Sequence, residues 1–468
     1  MHSFTVDAAR NLPGPPWLAR RRAAAAESFA ASPAPTTAEE EWRYSAIADL
    51  DLAAYSLANG TRTADAQPPI SAPEPDHGGG YEPDARPVPG EARSVEFSLD
   101  LASGSDAVSA LAVLDVVDGR LVTIDGADSL AAVGVYVGPL TGAADGEAAL
   151  GSVCDDASDY FSVLNDAFAP APVLVDVPSG AALDGAIVVR CRAHQTGAAS
   201  FPRLVVRVGP GAQATVLDVH DSAGPALVAP VVELDVGPAA RLGYLNLQQH
   251  GRGTWQIASH TARVERDATL VVASVALGGG YARTRTDTRL VGRGASGDLL
   301  SAYFGSGDQI LDFRTYQDHA APDTTSNLLY KGAVGDSARS VYTGLIRVRP
   351  DARGTNAYQT NRNLKLGDDA WAESVPNLEI ENNDVRCSHA SAVGPVDPDQ
   401  VFYLESRGVP TAVAERLIVA GFFAEVVEAL PVRAVTETVR RALVAKLNDV
   451  LGGTEAIHSH SQGTERQR

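Results

Sequence analysis

A five-residue phrase recurs through the middle of the chain: an apolar residue, three residues that favour turns, and a final alanine. Its copies are Val177–Ala181, Val208–Ala212, Val236–Ala240, Val264–Ala268, Val291–Ala295, Val334–Ala338, Val348–Ala352 and Leu366–Ala370. The alanines at 212, 240, 268 and 295 are 28, 28 and 27 residues apart, and those at 338 and 352 are 14 apart, half of that period. A regular period of this length is the signature of a solenoid.

The segments between these phrases are rich in Val, Leu, Thr and Tyr and tend to alternate, as in Leu204–Val208, Thr215–Val219 and Val231–Val236. Strand formers bounded by Gly, Pro and Asp predict short strands, whereas a helical repeat would space its apolar residues by three and four. We therefore predict a mainly β fold in which each period of about 28 residues is one coil of a parallel β-helix. Its turns need Gly or Asp where φ is positive, followed by a small alanine that lets coils stack.

Length, composition and charge limit the architecture and the partners of this chain. Its 468 residues fit a solenoid with flanking segments better than one ordinary globular core. Lys and Arg total 38 and Asp and Glu total 58, so the net charge of -20 repels phosphate backbones and argues against nucleic acid. The three cysteines, Cys154, Cys191 and Cys387, form no CxxC motif and fit a reducing compartment. Because no signal-like segment and no long apolar run occurs, we expect a cytoplasmic protein without stable membrane association.

Shifts in Pro, Gly and apolar content divide the chain into six segments. We predict an N-terminal helical region over 1–56, a Pro/Gly-rich linker over 57–92, a mixed strand and helix lead-in over 93–170, the β-helix core over 171–394, a C-terminal helical domain over 395–452 and a disordered tail over 453–468. Helices are predicted over the Ala-rich Trp17–Phe29 and over Tyr160–Phe168. Thr37 is expected to cap another helix, with Trp42 and Tyr44 as packing anchors.

Beyond the core the apolar spacing becomes helical. Helices are predicted over Asp399–Gly408, over Thr411–Leu430 with Thr411 as N-cap, and over Ala434–Leu451. The middle helix carries an apolar stripe broader than a lone surface helix needs, formed by Leu417, Val419, Phe422, Phe423, Val426 and Val427. The stripe either packs within its own domain or docks a partner, and the pattern leaves both open.

The sequence holds no GxxxxGK[ST], HExxH or GxSxG motif, so an ATP site is not expected on this chain. One other short motif could carry chemistry. It is Arg386–His389, with the sequence RCSH. Side chains alternate on a strand, so Cys387 and His389 share one face while Ser388 points away. The pair suits a soft metal ion but needs further ligands from a second chain, sulfide or water. The alternative is a structural cysteine beside a hydrogen-bonded histidine.

The remaining polar residues are interpreted as structural. Five more histidines show no ligand spacing: His194, His220, His250, His260 and His319. The carboxylate pairs Asp155–Asp156 and Asp368–Asp369 fall in turns, which they are expected to cap or solvate.

Several segments together resemble a known family. They are Arg386–His389, Val393–Gly394, Asp399–Gly408 with the helices after it, Glu41–Tyr44 and Leu164–Phe168. They are similar to the SufB/SufD family of the SUF iron-sulfur cluster assembly machinery, over most of residues 30–450. The chain resembles the SufD branch, because Asn361–Asp368, the segment corresponding to the sulfur-accepting cysteine of SufB, contains no cysteine. A SufB-like paralogue acting as the primary cluster scaffold stays open as the alternative.

The resemblance implies a right-handed parallel β-helix between helical N- and C-terminal regions, and a non-catalytic scaffold subunit. Such subunits pair with the SufB paralogue through their β-helices and bind the ATPase SufC through their C-terminal helices, forming a SufBCD complex. By motif match His389 is the implied ligand, with Cys387 as the neighbouring thiol, for iron or a transient iron-sulfur cluster shared with the partner chain. Three points stay open: whether a reduced flavin binds the complex, which iron source is used, and whether the isolated chain is a homodimer.

Two other classes of β-helix protein fit less well. Carbohydrate-active β-helix enzymes set several charged residues along one groove and are mostly secreted, whereas no signal peptide is expected here. Left-handed β-helix acyltransferases follow a strict hexapeptide period, and steps of 14 and 28 residues do not divide by six.

Overall fold

We describe the fold from a computed structural model of the chain, over residues 3–58, 94–101, 104–154 and 159–452. Most of the predicted linker over 57–92, the predicted tail over 453–468 and the pair Asp155–Asp156 lie outside the described residues. Within the described residues, no helix is long and apolar enough to cross a membrane.

Short helices and strands precede a long β core. They are α1 (Val6–Arg10), α2 (Pro16–Ala31), β1 (Ser56–Leu57), β2 (Val95–Leu101), β3 (Gly104–Ala110), β4 (Ala112–Val117), β5 (Arg120–Asp125), α3 (Ala127–Ala131), β6 (Tyr136–Pro139), α4 (Gly146–Ala149) and α5 (Tyr160–Phe168). The helices predicted over Trp17–Phe29 and Tyr160–Phe168 are confirmed by α2 and α5. The helix predicted after Thr37 is wrong, because the Glu39 carboxylate accepts from the Thr36 backbone N–H and closes a turn before a short 3-10 helix.

The core is a parallel β-solenoid built from two facing sheets, each of which contributes eight parallel coil strands, with short strands at one corner. Sheet 1 contains β7 (Val173–Val177), β10 (Arg203–Val208), β13 (Val231–Val236), β15 (Trp255–Val264), β17 (Tyr281–Leu290), β19 (Ile310–His319), β21 (Arg339–Val348) and β23 (Trp371–Ile380). Sheet 2 contains β8 (Ala182–Ala193), β11 (Gln213–Ser222), β14 (Arg241–Gln248), β16 (Thr269–Ala276), β18 (Ser296–Gly305), β20 (Thr325–Val334), β22 (Asn356–Lys365) and β24 (Arg386–Gly394). The corner strands are β9 (Ala198–Ser200) and β12 (Leu227–Val228).

The recurring phrase forms the tight turns between the two sheets, as the period predicted. Its final alanines are almost fully buried between coils from Ala212 onward: Ala212, Ala240, Ala268, Ala295, Ala338, Ala352 and Ala370. The residue before the alanine has a positive φ in five copies, at Gly180, Gly211, Ala239, Asp267 and Gly294. The copies from 177 to 291 and the copy at 348 lead from sheet 1 to sheet 2, whereas the copies at 334 and 366 lead from sheet 2 back to sheet 1. The copies at 334 and 348 are therefore separated by one strand, β21, which is half a coil and gives the half-period of 14 residues.

The two ends of the solenoid differ. At the N-terminal end, β6 pairs antiparallel with β7, and β4 and β5 extend sheet 2 beyond β8. At the C-terminal end, β23 pairs only with β21 and β24 only with β22 among the described residues. The last coil is largely exposed, including the apolar side chains of Leu378, Ile380 and Val393. One end is therefore capped and the other presents unpaired sheet edges.

The outer faces of both sheets are covered by the flanking elements. Helices α1, α2 and α5 and the buried Trp42 pack over sheet 1, which confirms Trp42 as a packing anchor. The hairpin of β2 and β3 packs over sheet 2 together with the C-terminal helices α7 (Thr411–Glu428) and α8 (Thr436–Val450), and α6 (Pro398–Glu405) packs against α7. Thr411 as N-cap is wrong: Pro410 occupies that position without a side-chain bond, and Thr411 is the first helical residue.

Candidate functional site at the open end

Cys387 and His389 lie on β24, the last strand of sheet 2. They stand in register with Ala357 and Gln359 of β22, which are buried and alternate with the exposed Tyr358. Parallel strands in register stack equivalent side chains on the same face. Cys387 and His389 therefore both face the interior between the two sheets, which we call the lumen, at the final coil. Ser388 lies in register with Tyr358 and points outward. The predicted sharing of one face is therefore present in the structure.

The two members of the pair have different surroundings. Cys387 is half-buried against a small apolar cluster that includes Ile346, Val348 and Ala352. Burial raises the pKa of the Cys387 thiol, and a hydrogen bond with the Ala357 backbone opposes this rise only in part. His389 is exposed, because no further coil of the described chain covers it. The pair therefore offers an accessible imidazole beside a thiol that stays protonated at neutral pH unless a cation or base removes its proton.

A second group of ligand-type residues was missed by the sequence reasoning. Cys191, Asp218 and His220 meet in the lumen near the capped end, and all three are buried. His220 stands directly opposite Cys191 on the neighbouring coil, 29 residues later in the chain, and Asp218 precedes it by two. The coil period combined with strand alternation was the available signal, since it stacks these three positions on one face. His220 therefore lies beside two other ligand-type side chains.

The apolar stripe predicted for α7 is partly buried and partly exposed. Val419, Phe423, Val426 and Val427 are buried against sheet 2 and α8, which confirms packing within the protein for those positions. Leu417 is 54% exposed on the same helix, and α6 exposes Phe402 by 70% and Tyr403 by 55%. These three residues, the exposed apolar patch of the C-terminal helices, leave partner docking as a prediction.

Comparison with known proteins finds relatives of this chain in one family. Residues 190–422 match the family described as SUF system FeS cluster assembly, SufBD core domain. An iron-sulfur cluster assembly SufBD family protein of Mycobacterium tuberculosis is 41% identical over 259 residues, covering 54% of this chain and 65% of that protein. Its counterpart in Mycobacterium leprae is 38% identical over 268 residues, covering 56% of this chain and 67% of that protein. The SufD protein of Escherichia coli is 32% identical over 245 residues, covering 52% and 57%.

Fold and site together define a class: a parallel β-solenoid capped at one end and open at the other, with a Cys-x-His pair on the open coil and helices packed over both sheets. The chain belongs to the SufBD family of the SUF iron-sulfur cluster assembly system. The aligned part spans just under two thirds, 65%, of the Mycobacterium tuberculosis relative's own length.

Proposed function

We propose that this protein is a SufD-type, non-catalytic subunit that pairs end to end with a SufB-type paralogue and contributes to nascent iron-sulfur cluster formation or iron delivery in the cytoplasm. The observation that carries the proposal is the open final coil, on which unpaired strand edges and the Cys387 and His389 pair coincide. An unpaired parallel edge with exposed apolar side chains favours association with another sheet. Chemistry at that edge would then lie between two chains.

The ligand count supports a shared site. Iron and iron-sulfur clusters take thiolate and imidazole ligands, and a single Cys-x-His pair supplies one of each. A paralogous chain on the open end would supply the missing ligands and exclude water. In this arrangement His389 is the first ligand, because it is exposed, and Cys387 joins it once the cation displaces the thiol proton.

We further propose that the exposed apolar patch of the C-terminal helices docks the ATPase of the system, SufC. Phe402, Tyr403 and Leu417 are large exposed apolar side chains on two helices, α6 and α7, that pack against each other. Aromatic residues on a rigid helical surface are typical anchors of protein interfaces. ATP chemistry would then reside in the partner, which fits a sequence without a phosphate-binding loop.

Replacing His389 by alanine is expected to leave the complex intact and to reduce the cluster bound to it. We expect the His389→Ala chain, co-expressed anaerobically with SufB and SufC, to elute at the same volume in gel filtration as the unchanged complex. Iron content and cluster absorbance are expected to fall at least about tenfold, because a ligand is lost. The matched control is His194→Ala, which removes an exposed histidine distant along the solenoid.

The outcomes separate the parts of the proposal. Unchanged iron content in the His389→Ala complex would return this histidine to a structural role. Failure of the unchanged chain to recover SufB would overturn end-to-end pairing itself. If SufC docks at the exposed apolar patch, the Leu417→Asp variant is expected to lose SufC and to retain SufB. Retention of SufC by that variant would overturn the docking surface.

A further inference from the structure

Three ligand-type side chains meet inside the lumen near the capped end, far along the solenoid from Cys387 and His389. Cys191 lies on β8, and Asp218 and His220 lie on β11. Their ligand atoms all lie within 4.8 Å of one another. Asp218 Oδ1 is 3.0 Å from His220 Nε2 and 3.9 Å from Cys191 Sγ. One sulfur, one nitrogen and one oxygen therefore border the same small volume.

These separations are close to those of a tetrahedral metal site. In a tetrahedral site with one sulfur, bonds of about 2.0 Å to nitrogen and oxygen and about 2.3 Å to sulfur place ligand atoms roughly 3.3 to 3.5 Å apart. The two measured separations, 3.0 and 3.9 Å, lie on either side of this range. The third separation, between Cys191 Sγ and the His220 ring nitrogen, is at most 4.8 Å, so side-chain movements of up to about 1 Å would bring the three atoms onto one ion.

Charge is the second observation that points to a cation. Asp218 is 1% exposed, and within the described part of the chain no lysine or arginine forms an ion pair with it. Its oxygens contact the Tyr244 hydroxyl at 2.6 Å, His220 Nε2 and the Cys191 thiol. A buried carboxylate whose ion-pair partner is a histidine, with no permanently charged side chain beside it, is costly in a low-dielectric interior. A bound cation would supply the missing charge.

The surroundings resemble the outer shell of a metal site. The Tyr244 hydroxyl donates to Asp218 Oδ2, which fixes the carboxylate and leaves Oδ1 directed at His220 and Cys191. His260 is 1% exposed, its ring centroid lies 5.5 Å from that of Tyr244, and neither ring nitrogen has a hydrogen-bond partner among the described residues.

We propose that Cys191, Asp218 and His220 bind one divalent transition-metal ion of borderline softness, such as Zn²⁺. The fourth position falls to water, since a cavity of about 10 Å³ borders all three residues. Binding is coordination without redox change: the Cys191 thiol releases its proton to solvent and its sulfur bonds the ion. The mixed sulfur, nitrogen and oxygen set disfavours Mg²⁺ and Ca²⁺, which take oxygen ligands. This inference does not depend on the proposed assembly function.

The test uses the full chain expressed alone, with Co²⁺ as a spectroscopic probe. Because the cluster is buried, Co²⁺ is supplied both to the folded metal-free protein and during refolding. We expect one Co²⁺ per chain, intense visible bands of a tetrahedral ion, and a thiolate-to-cobalt charge-transfer band. Cys191→Ser is expected to lose the charge-transfer band, and Tyr244→Phe to weaken binding about tenfold. The controls Cys154→Ser and Cys387→Ser, which remove the other two cysteines, are expected to keep the band.

Several results would overturn the site. Absence of stoichiometric Co²⁺ under both loading conditions would show that the cluster is only a polar contact in the lumen. Persistence of the charge-transfer band in Cys191→Ser, or its loss in Cys387→Ser instead, would assign the metal to the open end. Circular dichroism and gel filtration of each variant guard against unfolding. If Cys191→Ser does not fold, Asp218→Asn provides the second variant, with an expected loss of affinity of at least about tenfold.

Discussion

Replacement of Glu233 by alanine is expected to lower the free energy of unfolding by about 3 to 5 kcal/mol. Glu233 lies on the outer face of β13 with no exposed surface. Its Oε1 accepts from Arg203 Nη2 at 2.6 Å and Nε at 3.1 Å. The backbone N–H groups of Gly151 and Val153 also donate to the carboxylate, at 3.0 and 3.3 Å. The substitution leaves one buried guanidinium short of its partner and two backbone donors unpaired.

The size of this loss of stability depends on which carboxylate partners Arg203 retains in the Glu233→Ala variant. Its Nη1 donates to Asp166 of α5 at 2.8 Å, so the guanidinium retains one carboxylate and the loss is expected near the lower end of the range. Urea unfolding followed by circular dichroism measures it. Glu265→Ala is the matched control, because Glu265 is partly exposed and 3.9 Å from Arg263, and a loss below about 1 kcal/mol is expected there. Equal losses in the two variants would contradict the buried-pair argument.

The solenoid could be predicted from the sequence because its turns are local. A positive φ followed by a buried alanine is a requirement of a few consecutive residues, and it is repeated at Gly211, Asp267 and Gly294. Strand alternation likewise depends on neighbouring residues, so the shared face of Cys387 and His389 was predictable. The helix predicted after Thr37 was wrong for a reason that is also local. The Thr36 backbone N–H donates to the Glu39 carboxylate, and the turn that this hydrogen bond closes replaces the start of the helix.

Contacts between coils and between segments were harder to predict. The cluster of Cys191, Asp218 and His220 depends on the register of two coils, and a shift of one residue would move Asp218 and His220 to the outer face. The pairing of Arg203 with Glu233 joins positions 30 residues apart, which no helical or strand pattern marks. The open end arises after β24, where the chain leaves the solenoid for α6 instead of forming another coil.

Replacement of Trp42 by alanine is expected to lower the free energy of unfolding by about 3 to 5 kcal/mol, because truncating a large buried ring loses its packing and leaves a cavity. Trp42 is 2% exposed and lies 5.6 Å from the Phe161 ring, measured between centroids. The Arg283 guanidinium carbon lies 3.9 Å from the Trp42 ring centroid. That guanidinium also donates to the Glu41 carbonyl at 2.8 Å and pairs with Asp312 at 3.0 Å. Losing the indole therefore removes both a packed aromatic and the cover over a buried ion pair.

Tyr44→Ala is the matched control for Trp42→Ala. Tyr44 is 39% exposed and contacts Trp371 only at a centroid distance of 6.3 Å, so a loss below about 1 kcal/mol is expected. Urea unfolding of both variants measures the difference. Similar losses would contradict the packing role of Trp42. Because Trp42 covers sheet 1 and Cys387 and His389 lie at the end of sheet 2, Trp42→Ala is expected to lower stability while a folded variant keeps the iron content of the complex. His389→Ala should give the opposite pattern, which separates the scaffold from the site it carries.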